Sequence, residues 1–389
     1  MPSSSFSVFV EGAFSAEAVR TAAVSLREHL GAPATVAFAF VTPDYLGDLD
    51  EFIDTVRVDG HVAEVVGCTA STVIAGDAEK EGTAGFVLMG LHSPESSVRI
   101  VDLSTDRMEA ADGPEAWREE AIGMNGWLVL GNPFGFPADR WLGEWSGAAP
   151  GVPVVGGLAS GGESEAEIAV FHNADLVSGA VAVGFAGALQ VVAAVSQGCR
   201  PIGEALPVTK AENNVIFALG SRPAFDALET AFESLTEYER SRAQGNLFAG
   251  LANNEYVDEF RSGDFLIRNI IGADPKSGAV VIGGIPRVGQ TLQYQLRDGT
   301  AADADLRTVL TAIPSAHPMT PVASLVFSCL GRGTHLFEEP DHDASLVQET
   351  LGAHSSAGFF GNGEIGPLGG KNCVHAYTVA CALLYDLSF

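Results

Sequence analysis

Apolar and polar positions alternate from Phe6 to Val10, which predicts a strand. From Ala16 to Leu30 the apolar positions recur every three to four residues, a helix with Ser15 placed to cap it, and Thr35–Val41 follows as a buried strand. Pro43 fits the first turn of a second helix, PDYLGDLDEFIDTVR, whose early acidic residues suit the positive end of the helix dipole. EVVGCTASTVI, GFVLMGL and SVRIVDL are then three extended segments with no helix between them, so the sheet must contain antiparallel neighbours. A helix near Glu115–Ile122, the strand WLVLGNPF, a helix around Asp139–Trp145 and the strand VPVVGGLAS complete a first unit.

After SQGCRPIG the pattern restarts. PVTKAENNVIFAL reads as extended, Arg222–Leu235 as helical, and LFAGLA, FLIRNIIG, AVVIGG and QTLQYQLRD as strands. A helix over Ala301–Ala312, the strand ASLVFSCLGRG, a helix near Ser345–Leu351, the strand AGFFGNGEIG and the final strand AYTVACALLYD close the chain. The expected class is a mixed α/β or α+β fold of two layered domains, residues 1–210 and 211–389, with partly antiparallel sheets flanked by helices.

Leu176–Val195 carries only Ser178 and Gln190 as polar residues, and hydropathy alone marks it as membrane-spanning. Its valines and the interruptions at Gly179, Gly184 and Gly187 favour two buried strands reversing at GALQ, so no membrane insertion is expected.

Composition narrows the function classes. The 389 residues are 47% hydrophobic and 18% charged, a globular and not a disordered balance. Against 21 Lys and Arg stand 49 Asp and Glu, a net charge of −28 that repels phosphate backbones and anionic headgroups and argues against nucleic-acid binding. Cys68, Cys199, Cys329, Cys373 and Cys381 are odd in number and lack CxxC spacing, so they form no disulfide framework or zinc finger. No basic-then-apolar leader opens the chain, and the expected compartment is the cytoplasm.

Candidate chemistry sits where polar residues interrupt apolar strands at Gly-rich ends. Five places qualify: Gly67-Cys68-Thr69, Gly198-Cys199-Arg200-Pro201, Arg268-Asn269, SCLGRGTHLFEEPDHD and FFGNGEIGPLGGKNCVHAYT. Between glycines, Arg332 is suited to grip a carboxylate, or else pairs with Glu338, Asp341 or Asp343 to hold its own loop. His335, Glu338, Asp341 and His342 match no recognised metal motif, and no metal or cofactor is expected. GNGEIG has the spacing of a dinucleotide loop but leads into no helix, and Lys371 precedes Asn372, which excludes a P-loop. Glu364, amid apolar neighbours, needs Arg332, Lys371 or a ligand ammonium as partner, or caps backbone amides in its turn. Cys68, Cys199 and Cys329 each end a strand, so a thiol nucleophile with His342 or His375 as base is an alternative, against the commoner role of a small core hydrophobe.

In order along the chain, VVGCTA, VPVVGGLASGG, VSQGCRPIG, PVTKAENNVI, GDFLIRNIIGADPKSGAV, FSCLGRGTHLFEEPDHD and GFFGNGEIGPLGGKN resemble the FIST proteins, a bacterial sensory family with relatives among eukaryotic F-box proteins. The first part resembles the FIST N-terminal domain and the second the FIST C-terminal domain. The resemblance implies a cytoplasmic small-ligand sensory module, for an amino acid or similar metabolite, that signals through a separate protein partner. It carries no catalytic residue set. The alternatives are a Cys-dependent enzyme and an interaction scaffold like the F-box relatives. Cys68, Cys199, Arg200, Arg268, Asn269, Cys329, Arg332 and Glu364 are the expected ligand-binding positions, with Arg200 and Arg332 facing a ligand carboxylate and Glu364 an ammonium or hydroxyl around one shared hollow.

Overall fold

The computed structural model describes residues 2–257, 260 and 263–388, without the side chain of Arg242. Helices and mixed sheets make an α+β fold that separates into two compact units. The first gathers Met1–Val195, Arg307–Val374 and Thr378–Phe389; the second holds Ser196–Leu306 and His375–Tyr377. This spatial grouping does not follow the sequence division at 210/211, because the last third of the chain contributes strands to sheets begun by the first half.

Three six-stranded sheets build the first unit. One runs, edge to edge, Ser4–Glu11, Gly85–His92, Val36–Val41, Val65–Thr69, Val170–His172 and Asp175–Leu176. Helices Ala16–Leu30 and Leu49–Asp59 cover one face through Val19, Leu26, Phe52 and Val56. The first helix begins and ends as its sequence predicts: Ser15 Oγ accepts from the Ala18 amide, and Gly31 takes a left-handed conformation (φ 65°) that lets its N–H reach the Arg27 carbonyl. A second sheet contains the parallel pair Gly126–Gly131 and Val154–Leu158, and the four tryptophans of the chain pack in its outer layer. A third contains the parallel pair Ala323–Cys329 and Ser355–Gly361, joined by a crossover through helix His342–Leu351. The inner faces of all three meet in one core that includes Phe38, Phe40, Val155, Phe327 and Phe359.

Several segments that read as single strands are cut in two. EVVGCTASTVI divides into Val65–Thr69 and Val73–Ala75, which lie in different sheets, and AGFFGNGEIG divides into Ser355–Gly361 and Glu364–Leu368, again in different sheets. The apolar stretch at Leu176–Val195 does reverse at Gly187 (φ 81°), but its strands Ala180–Gly187 and Leu189–Gln197 do not pair with each other. The first lies between Ser96–Leu103 and Gly126–Gly131, and the second pairs with Thr378–Asp386. Burial between core layers explains the stretch's hydropathy. No helix among the described residues is long and apolar enough to cross a membrane.

The described strands of the second unit all pair antiparallel. Its sheet runs Cys199–Glu212, Thr291–Arg297, Leu247–Ala252, Phe265–Asp274, Ala279–Ile282 and Val215–Leu219, and the last of these pairs back onto the first, closing a barrel. PVTKAENNVIFAL is therefore a hairpin, turning at Asn213 (φ 51°), a residue type that tolerates the left-handed region.

One polar clamp ties two sheets of the first unit together. His172 Nδ1 lies 2.9 Å from Asp102 and Nε2 lies 2.9 Å from Glu64. The bond to Asp102, with help from Glu64, outweighs the cost of burial and raises the imidazole pKa to about 9. Since the folded value lies above the ordinary one near 6.5, the clamp's stabilisation is complete below about pH 6.5 and is lost as pH rises through about 9. Urea midpoints between pH 6 and 9.5 are expected to fall in the native protein and to fall less in His172→Gln.

Candidate functional site

Loops that leave the carboxyl ends of parallel strands are where α/β proteins place ligand chemistry. Cys329 and Gly361, aligned in register, are the last residues of the parallel pair in the third sheet. Beyond Cys329 the chain turns sharply: the Arg332 amide donates to the Cys329 carbonyl at 2.8 Å, and Gly333 adopts φ 56° before a 3-10 turn over Gly333–His335. A Cβ at Gly333 would stand 2.5 Å from Glu81 and 2.7 Å from the Phe360 ring, so both conformation and space call for glycine here. Beyond Gly361 the chain crosses from the third sheet to the second, where Glu364 pairs with Gly157. Arg332 and Glu364 thus stand at the same strand ends, one on each side of a sheet corner.

Both side chains are fully buried (0% exposed). The Arg332 guanidinium grips Asp343 with two bonds, Nε to Oδ2 at 2.7 Å and Nη2 to Oδ1 at 2.8 Å. Asp343 also accepts from Ser328 Oγ at 2.6 Å, and His342 Nδ1 lies 2.9 Å from Oδ1. The Phe337 ring stacks on His342 at 3.5 Å and lies 5.3 Å from the guanidinium carbon. Burial by itself would raise the Asp343 carboxyl, but Arg332 holds it well below the usual carboxylate range. Glu79 Oε1 accepts from the amides of Asp343 and Ala344, while Asp341, at φ 63°, accepts from the Glu79 amide at 2.6 Å. Burial, with the nearby Asp343 charge, pushes Glu79 up to about 7.

Glu364 differs from Asp343. Its Oε2 accepts from the Thr378 amide at 3.2 Å, and burial pushes its pKa well above the ordinary range, with the Thr378 bond, Arg332 and the Cys329 thiol opposing only in part. Among the described residues Arg332 Nη1, Glu364 Oε1 and Glu79 Oε2 are buried polar atoms with no hydrogen-bond partner. Such atoms cost free energy unless something answers them, so a cluster of them marks a place built for a polar guest.

Two family models match the chain. The FIST N domain matches residues 35–222 and the FIST C domain residues 224–367. The chain belongs to the FIST family. It is 35% identical over 372 residues to the uncharacterized protein Rv0628c of Mycobacterium tuberculosis, covering 95% of this chain and 96% of the relative. It is 36% identical over 325 residues to the uncharacterized protein Mb0898c of Mycobacterium bovis, with 83% of each chain covered. In this FIST protein the C-domain match is shared between the compact units, residues 224–306 lying in the second and 307–367 in the first.

Of the residues singled out in the sequence, Cys329, Arg332 and Glu364 come together in the first unit of this FIST protein. Arg332 meets Asp343, one of the three acids its loop offered, so its two-pronged face is occupied. Cys68 belongs to the first unit's core, and burial pushes its thiol well up, the reverse of activation. Cys199, Arg200, Arg268 and Asn269 belong to the second unit. Cys199 packs with Phe248, Phe265 and Ile267. Arg200 bonds Glu239 and Asp298, so its charge is already matched by two carboxylates rather than reserved for a ligand. Arg268 Nη1 donates to the Ile267 carbonyl at 3.1 Å, and Asn269 is exposed. The four-residue metal pattern resolves into other work: Asp341 binds the Glu79 amide, His342 binds Asp343, and His335 and Glu338 are exposed. Two members of the cluster escaped sequence reasoning. Ser328 carried a signal, one of two hydroxyls in an otherwise apolar strand, whereas Glu79 sits in the polar run GDAEKEG with nothing to distinguish it.

Proposed function

We propose that this FIST protein is a cytoplasmic small-ligand sensor, that its ligand is an amino acid or similar small metabolite held at the sheet corner by Arg332 and Glu364, and that the signal leaves through a separate protein partner. The observation that carries this reading is the pair of fully buried side chains, one just past a strand end of the third sheet and one opening a strand of the second, each with one polar atom unanswered within the described residues. Burial amplifies whatever bond a guest makes there. The five cysteines form no disulfide among the described residues, which suits a reducing compartment.

A thermal-shift panel of amino acids and small metabolites tests the reading. A ligand at about one hundred times its Kd adds roughly 2.7 kcal/mol of stability, several degrees in Tm, and a panel without any shift would count against a sensor. A thiol enzyme is the second reading, favoured by Cys329, which is half-buried and adjoins Glu364. Iodoacetamide mapping separates the two: labelling of Cys329 no faster than an ordinary exposed thiol removes the enzyme reading.

A further inference from the structure

The charges around the corner restrict what kind of group can be bound. Arg332 and Asp343 form a closed pair, both at 0% exposure, so the guanidinium's charge is cancelled inside the protein and its two-pronged face is used. Its remaining free edge, Nη1, offers N–H donors only. Glu364 is equally buried and is not ion-paired with Arg332: the bonds Arg332 makes go to Asp343, and the Glu364 carboxyl takes the Thr378 amide on Oε2. A carboxyl that is wholly out of water without a bonded cation keeps its proton. With Oε2 accepting from Thr378, that proton belongs on Oε1, the atom without a partner. Arg332 and Asp343, the two oppositely charged groups that bear on Glu364, are paired with each other and offset one another there.

We infer that Arg332 Nη1 and the Glu364 Oε1 hydroxyl act as two donors to an uncharged oxygen acceptor, so that the part of the ligand buried here is a carbonyl or hydroxyl and not an ionised carboxylate or ammonium. An anion would meet the Asp343 carboxylate with its balancing charge already taken. An ammonium would face Nη1 donors and would have to displace the Glu364 proton. A neutral carbonyl oxygen accepts both donors at no charge cost. The inference rests on the sensor reading above and narrows it: the ligand's charged groups, if it has any, lie outside this corner.

Matched small molecules test it on the full-length protein. Thermal shift at millimolar concentration compares carboxamide, carboxylate and ammonium versions of one skeleton, such as propionamide, propionate and propylammonium, and nicotinamide against nicotinate. The carboxamide members are expected to raise Tm and their charged partners to bind at least about tenfold more weakly. Calorimetry of the best carboxamide in two buffers of different ionisation enthalpy is expected to show no proton release. Glu364→Gln, which keeps an acceptor for Thr378 and a donor for the ligand, is expected to bind within about threefold of the native protein, whereas Glu364→Met loses about tenfold or more. A charged member that binds while its carboxamide does not, release of about one proton per ligand, or loss of binding in Glu364→Gln overturns the inference and leaves the sensor standing. Absence of any shift across these compounds and the wider panel overturns both.

Discussion

Asp343→Ala is expected to cost the first unit about 3–5 kcal/mol, because it leaves the Arg332 guanidinium charged, buried and without a counter-ion. The loss extends beyond one bond. Arg332 Nε and Nη2 and Ser328 Oγ all donate to that carboxylate, and none of the three has water to turn to. Intrinsic fluorescence is the right readout, since all four tryptophans lie in the outer layer of the second sheet and therefore report on the first unit. A large drop in the urea midpoint is the expected result; a drop worth less than about 1 kcal/mol would mean the guanidinium reaches solvent. Arg332→Met with Asp343→Leu is expected to recover most of the loss, since apolar residues of similar size can replace a buried ion pair without penalty. That double variant, folded but lacking the Arg332 donor, should show no ligand shift. Stability and recognition are then separated at one pair of residues.

The sequence made some of this architecture legible and hid the rest for physical reasons. Helix Ala16–Leu30 was readable from its local signals, the Ser15 cap and the apolar stripe. Strands were readable as strands, because burial imposes its pattern residue by residue. Partnership was not. Ala180–Gly187 and Leu189–Gln197 follow each other across a tight turn yet join different sheets, and nothing in their hydrophobicity says which neighbour each will choose. Barrel closure in the second unit has the same character: it depends on Val215–Leu219 finding Cys199–Glu212, a tertiary event that no local signal announces.

The site divides along the same line. Glycine-flanked Arg332 and Glu364 could be picked out because a charged residue between apolar and glycine-rich stretches is locally improbable. Which acid Arg332 would choose was a matter of helix phase: Asp343, within the first turn of His342–Leu351, faces the strand end, while Glu338 remains exposed. The expectation that Arg332 would grip a ligand carboxylate with its full fork meets a fork whose two prongs Asp343 already takes.

Trp141→Ala should be comparably damaging, at about 3–5 kcal/mol, but by a different route. Trp141 is fully buried on helix Ala138–Ala148, with its ring centroid 4.6 Å from Trp145 and 5.6 Å from Phe136, and Trp145 in turn packs edge-on against Trp127 at 4.8 Å. Truncation removes the ring between Phe136 and Trp145, and its neighbours, held by helix and sheet, can collapse into the space only in part. Trp141→Phe is expected to lose far less than the alanine variant. The smaller ring keeps most of the aromatic contact and removes an indole N–H that has no hydrogen-bond partner among the described residues, so part of the lost area is offset by a polar group no longer buried. Because Trp141 is itself a fluorophore, the measurement is urea unfolding followed by far-ultraviolet circular dichroism. If Phe and Ala cost the same, the contribution of this side chain lies in its indole edge rather than in its packing. Ile365, in the same layer, lies next to Glu364 in the strand and points to the opposite face, so the tryptophan layer backs the very strand that presents the acid. A Trp141→Ala protein that remains folded at low temperature should therefore bind its ligand with the native preference for uncharged groups, its affinity falling only as far as that strand loses its place.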